Sequence, residues 1–252
     1  MSTKASDYNL ISHLSSPETM QSNITQSPLL SVEELETRTP RMSVLPTVAL
    51  LRVRLTIPGP LDSAVVVVDE PHDPKSPFLP YQTLRIGIPV KHPISEEPVT
   101  YPAVSSLTTS VHEFDTGPTI WRYTQLIDLE SEDDEEGRMV CIDCGAKGPL
   151  VPEPLTVKAT SRPYVTVDDW TSQVYDYLMM HEGTIHKVTY TDNDNDFPEA
   201  GNLEICKVDY GSIELHEVKE GEAVRNNGLT ADYVAKIKRL VDEARQNSEA
   251  TP

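Results

Sequence analysis

From Val44 onward the chain alternates between short apolar runs and turn residues, whereas the stretch before it shows no sustained apolar period. Within Val48–Ile57, Leu51, Val53, Leu55 and Ile57 alternate with Arg52, Arg54 and Thr56, the period-two pattern of a strand with one wet face. Pro58-Gly59-Pro60 ends it as a turn. Ala64–Val68 is dominated by valine and reads as a strand covered on both faces, closed by Asp69-Glu70-Pro71. Further strands are predicted at Thr83–Pro89, Val99–Val104, Thr119–Leu129 and Leu155–Ala159. Thirteen of the 21 prolines lie between Pro40 and Pro118, so strands there must be short, at edges or bounded by proline.

In the second half, Thr166-Val167-Asp168-Asp169 resembles a capping box with Asp in place of Glu. Trp170, Val174, Tyr177, Leu178 and His181 then fall on one helical face, and Gly183 reads as the stop. Ile185–Thr191, Leu203–Val208 and Ser212–Val218 read as strands, the last two joined around Asp209-Tyr210-Gly211. A final helix is predicted near residues 230–247, with Tyr233, Val234, Ile237, Leu240, Val241 and Ala244 on one face. Lys236, Lys238, Arg239 and Arg245 lie downstream of Asp232, as the helix dipole prefers. The expected fold is mainly β with α+β character: a β-sandwich or barrel-like body with two amphipathic helices in the C-terminal half.

Residues 1–45 are rich in Ser, Thr, Gln, Asn and Glu and read as a disordered tail, leaving 46–252 as a single β-rich domain. The tail places Ser16, Ser27 and Thr39 directly before prolines, the arrangement proline-directed kinases use. Its Asn23-Ile24-Thr25 sequon has no export signal to bring it to the glycosylation machinery.

Charge narrows the partners. Twenty-one basic against 40 acidic residues give a formal net charge of −19, with acid concentrated toward the C-terminal half. No dense Lys/Arg cluster exists to displace counterions from phosphates, which disfavours direct nucleic-acid binding and docking on anionic membranes. No run is long and apolar enough to span a bilayer, and three cysteines form no disulfide framework. A soluble protein of the cytoplasm or nucleus is expected.

The densest acidic run, Glu130, Glu132, Asp133, Asp134, Glu135 and Glu136, marks a solvated loop at 128–137, available to a basic protein partner. It leads into Cys141-Ile142-Asp143-Cys144-Gly145, half of a zinc-ribbon pattern. Zinc takes four N or S ligands, so Cys141 and Cys144 need completion. His181 and His186, spaced H-x4-H, are the candidates, with Cys206 as a substitute for one of them. Each has a packing alternative: His181 on the apolar face of its helix, His186 alternating with Val188 and Tyr190. A thioredoxin-like use of the cysteines is opposed by Gly145, Gly148 and Pro149, which do not start a helix. Asp192-Asn193-Asp194-Asn195-Asp196 mimics a calcium loop, but Phe197 stands where the loop needs Gly and Leu203 where it needs Glu. An Asx-rich turn accounts for it.

Phosphate-loop, dinucleotide, zinc-protease and nucleophile-elbow motifs are absent. The expected function is therefore a non-catalytic protein–protein interaction or structural and regulatory role. A metal- or thiol-dependent enzyme built on Cys141, Cys144, His181 and His186 is one alternative, with structural zinc as the sole cofactor in view. Another follows from Val48–Ile57, the Pro58-Gly59-Pro60 turn and Ala64–Asp69, which resemble the paired strands ending in an aspartate of plant viral movement proteins. That resemblance implies a viral structural or accessory protein that binds nucleic acid, from which the acidic balance departs.

Overall fold

The computed structural model describes residues 29–37, 44–73, 75–116, 131–133, 135, 139–141, 151–189, 202–208, 211–218 and 229–249. Its strands are β1 (Leu45–Pro46), β2 (Val53–Ile57), β3 (Val65–Val68), β4 (Phe78–Pro80), β5 (Gln82–Arg85), β6 (Ile88–Lys91), β7 (Thr100–Tyr101), β8 (Ser106–Val111), β9 (Ser131–Asp133), β10 (Met139–Cys141), β11 (Leu155–Lys158), β12 (Asn202–Val208) and β13 (Ser212–Val218). Seven of them form one mixed sheet in the order β11-β8-β13-β12-β2-β3-β4. Only β8 and β13 run parallel in it; the other neighbours are antiparallel. The sheet does not close, because β11 and β4 are unjoined edges, so the expected barrel is not formed. Mainly β with α+β character is the architecture observed. The remaining pairs among the described strands, β1–β7, β5–β6 and β9–β10, are two-stranded.

A long helix, Val167–Thr189, supplies the packing partner of the sheet. Trp170, Val174, Leu178, Ile185 and Val188 are buried at helical spacing and share one core with Leu55, Ile57, Val65, Val67, Leu203, Ile205, Ile213 and Leu215. Each such side chain contributes about 1.5–3 kcal/mol relative to exposure. The helix starts where the sequence predicts. The Thr166 amide donates to Asp169 Oδ2 at 2.9 Å, and the Asp169 amide donates to Thr166 Oγ1 at 3.1 Å, a capping box with the shorter acid. Thr160 Oγ1 donates to the other Asp169 oxygen at 2.5 Å.

A second cluster sits apart from this core. The last helix, Ala231–Glu249, buries Val234, Ile237 and Val241 with Leu229 and Leu51, and Leu45, Val48 and Tyr101 pack against them. Arg245 places its guanidinium 5.9 Å from the Tyr101 ring centre.

Several expectations are corrected. The fold begins before residue 46: Ser31 caps the helical turn Val32–Glu36 in a reciprocal box with Glu34, and Val32 and Leu35 enter the main core. Residues 29–37 therefore belong to the fold and not to the expected 1–45 tail. Val48–Leu51 is a helical turn capped by the Thr47 hydroxyl, not the start of a strand. An apolar run of that length fits either state, and the turn lets Leu50 face the main core while Leu51 faces the second cluster. Gly183 does not stop the long helix, which continues through the predicted Ile185–Thr191 strand as far as Thr189. Thr83–Pro89 is not one strand but parts of two, folded back at Ile86-Gly87. Ser106–Val111 is an unexpected strand, lying between β11 and β13 in the sheet, that buries Leu107, Thr109 and Val111 in alternation. The predicted strand Thr119–Leu129, the three hydroxyl–proline sites, the Asn23 sequon and the Asp192–Asp196 run lie outside the described residues.

The expected wet face of β2 is also covered. Arg54 is only 5 % exposed, and its guanidinium donates to the carbonyls of Leu51 (2.9 Å), Val53 (3.1 Å) and Pro71 (2.8 Å). Near it Glu204, on β12 opposite Thr56, is 4 % exposed. Burial raises the Glu204 pKa to about 7, and the attraction of Arg54 only partly opposes this.

Two outcomes test this core. Leu35→Ala should lower unfolding free energy by about 2–4 kcal/mol in a urea titration; an unchanged midpoint would place residues 29–37 outside the fold. Glu204 has a folded pKa above its unfolded one, so its stabilising proton is retained below the unfolded value. That contribution is lost as pH rises from about 4.5 to about 7. Glu204→Gln should therefore flatten the pH dependence of the melting temperature across that window and raise stability at pH 8 by about 1–3 kcal/mol.

Candidate functional site

Exposed apolar surface, not buried chemistry, distinguishes one part of the molecule. β5 and β6 form a hairpin with Arg85 opposite Ile88 and Gln82 opposite Lys91. Its residues from Thr83 to Lys91 are all exposed. Leu84 is 73 % exposed, Ile86 102 % and Ile88 65 %, with Val90 and nearby Phe78 also open to solvent. A single exposed leucine is ordinary, but a cluster of this kind marks a binding surface or an aggregation hazard.

The turn makes the point sharper. Ile86 has φ +53° and Gly87 φ +75°, the left-handed pair that a two-residue hairpin turn requires. Asn-Gly is the usual solution. A β-branched residue at positive φ costs about 1–2 kcal/mol, and Ile86 is the one non-glycine residue there among the described residues. Folding would favour Asn or Gly at this position, so a fully exposed isoleucine needs another reason.

The hairpin is tied to the body at its base. Lys91 Nζ lies 2.6 and 2.7 Å from the two oxygens of Asp168, on the first turn of the long helix. Tyr81 donates its hydroxyl to Asp168 Oδ1 at 3.0 Å. Burial, reinforced by the adjacent Asp168 charge, pushes the Tyr81 phenol far above its usual range, so it remains a donor. Tyr81 itself is buried in the main core, and the His92 amide donates to its carbonyl at 2.7 Å. Asp168 and Asp169 thus divide the work at the helix start: Asp169 caps the helix and Asp168 anchors the hairpin.

Beside this anchor opens a cleft of about 540 Å³, lined by Val90, Lys91, Ser95, Glu96, Arg162 and Asp168 among others. Its charges are matched within the cleft: Lys91 with Asp168, and Arg162 with Glu96. A cleft whose two cations already hold carboxylates offers an anion no uncompensated charge. The arrangement fastens the hairpin to the helix instead.

The residues singled out as zinc ligands are placed differently. Cys141 is in β10, opposite Ser131 of β9, and Cys144 lies outside the described residues. Residues 131–133 and 139–141 pair as strands, so the acidic run is partly a hairpin arm; Asp133 and Glu135 are exposed, as a solvated run requires. Cys206 is in β12. His181 and His186 both lie on the long helix. Five residues along a helix turn a side chain by about 140°, so the two do not converge. His181 packs edge-on against Tyr177 and Phe114, with ring centres 4.7 and 6.1 Å away. His186 is buried, with Glu182 3.9 Å from its Nε2. Among the described residues no group of three or more His, Cys, Asp or Glu is placed to hold a metal ion, and no helix is long and apolar enough to cross a membrane.

Sequence reasoning did not single out Leu84, Ile86, Ile88, Lys91 or Asp168. The available signal was the x-Gly dipeptide at Ile86-Gly87 between two β-rich halves, hidden because isoleucine is not a turn residue. No protein-family model matches this chain, and neither does any curated protein or solved structure.

The helix geometry is open to direct test. A Cβ at Gly183 would meet no atom within 4 Å. Gly183→Ala should raise stability by about 0.5–1 kcal/mol, as in any uncrowded helix interior. A loss of stability in thermal denaturation would restore Gly183 as a chain break between the histidines.

Proposed function

We propose that this chain is a non-catalytic interaction protein that presents the Gln82–Lys91 hairpin to a protein partner. One observation carries the reading: Ile86 stands fully exposed in a left-handed conformation that disfavours it, at the tip of an apolar hairpin. The Lys91–Asp168–Tyr81 anchor supports it, since a hairpin fixed to the helix loses less freedom on binding. The exposed acids Asp133 and Glu135 provide a second contact for a partner with a basic surface. The enzyme alternative lacks such support, because its histidines face apart.

A second reading, a viral structural or accessory protein of movement type, draws on the pairing of β2 with β3. The two strands lie antiparallel, and Asp69, just beyond β3, accepts from Arg52 at 3.0 Å. The net charge of −19 argues against the nucleic-acid binding this reading requires.

Ile86→Asn tests the first reading without harming the fold, because Asn-Gly suits the turn better. Thermal stability should hold or rise, while recovery of the bound partner in parallel captures from the native source and from cells carrying a differently tagged copy should fall at least tenfold. Equal recovery with both proteins would remove the hairpin from the interaction.

A further inference from the structure

Resting on the reading of the hairpin as a binding element, we propose that its partner is a second copy of this chain, joined by antiparallel pairing of the two β5 edges. The first support is an unguarded edge. In a hairpin with a two-residue turn, Arg85 and Thr83 direct their backbone groups toward β6, and Gln82 and Leu84 direct theirs outward. β5 contains no proline, so both outward residues keep donor and acceptor. β6 cannot serve equally, because Pro89, opposite Leu84, has no N–H.

The two edges of the seven-stranded sheet are less available. On β11 the Gln173 side chain takes the place of a neighbouring strand: the Lys158 amide donates to its Oε1 at 3.1 Å, and its Nε2 donates to the Lys158 carbonyl at 2.8 Å. β4 ends in Pro80. Proteins leave a long apolar edge bare at the risk of edge-to-edge association. The fold fills part of the β11 edge with a side chain, and among the described residues no backbone hydrogen bond is made to the outward groups of Gln82 and Leu84.

Charge is consistent with self-association at this edge as well. Two chains of charge −19 repel, so they must meet where carboxylates are missing. Gln82–Lys91 carries Arg85 and Lys91 and no acid. By its register Leu84 shares one face of the hairpin with Gln82, Pro89 and Lys91, while Ile88 and Val90 share the other with Thr83 and Arg85, so pairing at the β5 edge covers only part of the apolar surface. A twofold axis at Thr83 pairs Gln82 with Leu84 of the second copy, twice, and puts no Arg85 opposite another. The expected dimer is weak and concentration-dependent.

Sedimentation velocity on the full chain between about 1 and 100 µM should show a monomer–dimer equilibrium. Leu84→Lys, which places a charge on the edge, should weaken it at least tenfold with circular dichroism and melting temperature unchanged. Thr83→Cys should form an intermolecular disulfide under mild oxidation that the wild type, with its native cysteines, does not, since Thr83 faces its own copy across a close pair. A monomer throughout the range, or a dimer indifferent to Leu84→Lys, would overturn the proposal. Hairpin-dependent binding to phosphatidylcholine–phosphatidylserine vesicles by a chain that stays monomeric would do the same, in favour of a lipid surface. If the chain is monomeric but Ile86→Asn still loses a different protein, the interaction reading stands and the self-pairing alone fails.

Discussion

The seat of the long helix on the sheet is the contact from which the other arrangements follow. Trp170, Val174 and Leu178 are almost wholly buried against residues drawn from β2, β3, β12 and β13, which lie far apart in sequence. A helix packed at one place fixes its own N-terminus, and that terminus is where Asp168 and Asp169 stand. Loss of Trp170 would affect more than the core. It would move the carboxylate that anchors Lys91, and with it the base of a hairpin more than 75 residues earlier in the chain.

Polar burial in this protein is compensated at some sites and not at others. Arg54 leaves water but gives its donors to three backbone carbonyls, and Asp169 accepts from Thr160 and Thr166 on both oxygens. Such groups are neutral to stability or better because their hydrogen bonds are replaced. Glu204 is an exception, with one buried oxygen lacking a hydrogen-bond partner, and Thr109, Thr171 and Glu113 each hold another such atom. Protonation is the cheaper answer, which is why its pKa rises despite a guanidinium nearby. Burial raises the Glu113 carboxyl in the same direction, so the chain's excess of acid includes groups that the fold itself makes reluctant to ionise.

Much of the fold was legible where periodicity and local chemistry agree. The capping box at Thr166, the helical face from Trp170 to Leu178, the strand Ser212–Val218 and the last helix all carry their own signal in a few residues. The errors arose where tertiary structure overrules local pattern. Gly183 looks like a stop until the surrounding helix outweighs its propensity penalty, about 1 kcal/mol. Ser106–Val111 looks like a polar linker, because its threonines hide a buried alternation that only neighbours on both sides reveal. Val32 and Leu35 are two apolar residues in a polar stretch, too few to show a period, yet both reach the core. The candidate site was the least readable part. Ile86 breaks turn chemistry, and sequence rules for hairpins look for residues that fit the turn, so they pass over it.

The amide of Gln173 bears on how large an assembly this chain builds. A sheet with two live edges is a monomer unit of a fibre: each addition exposes a fresh edge, and growth has no natural end. By occupying the backbone of Lys158, one side chain blunts the β11 edge of the seven-stranded sheet. A contact at β5 related by a twofold axis consumes the edges it uses. A contact of that kind would make association a finite event, with a count set by symmetry instead of by supply.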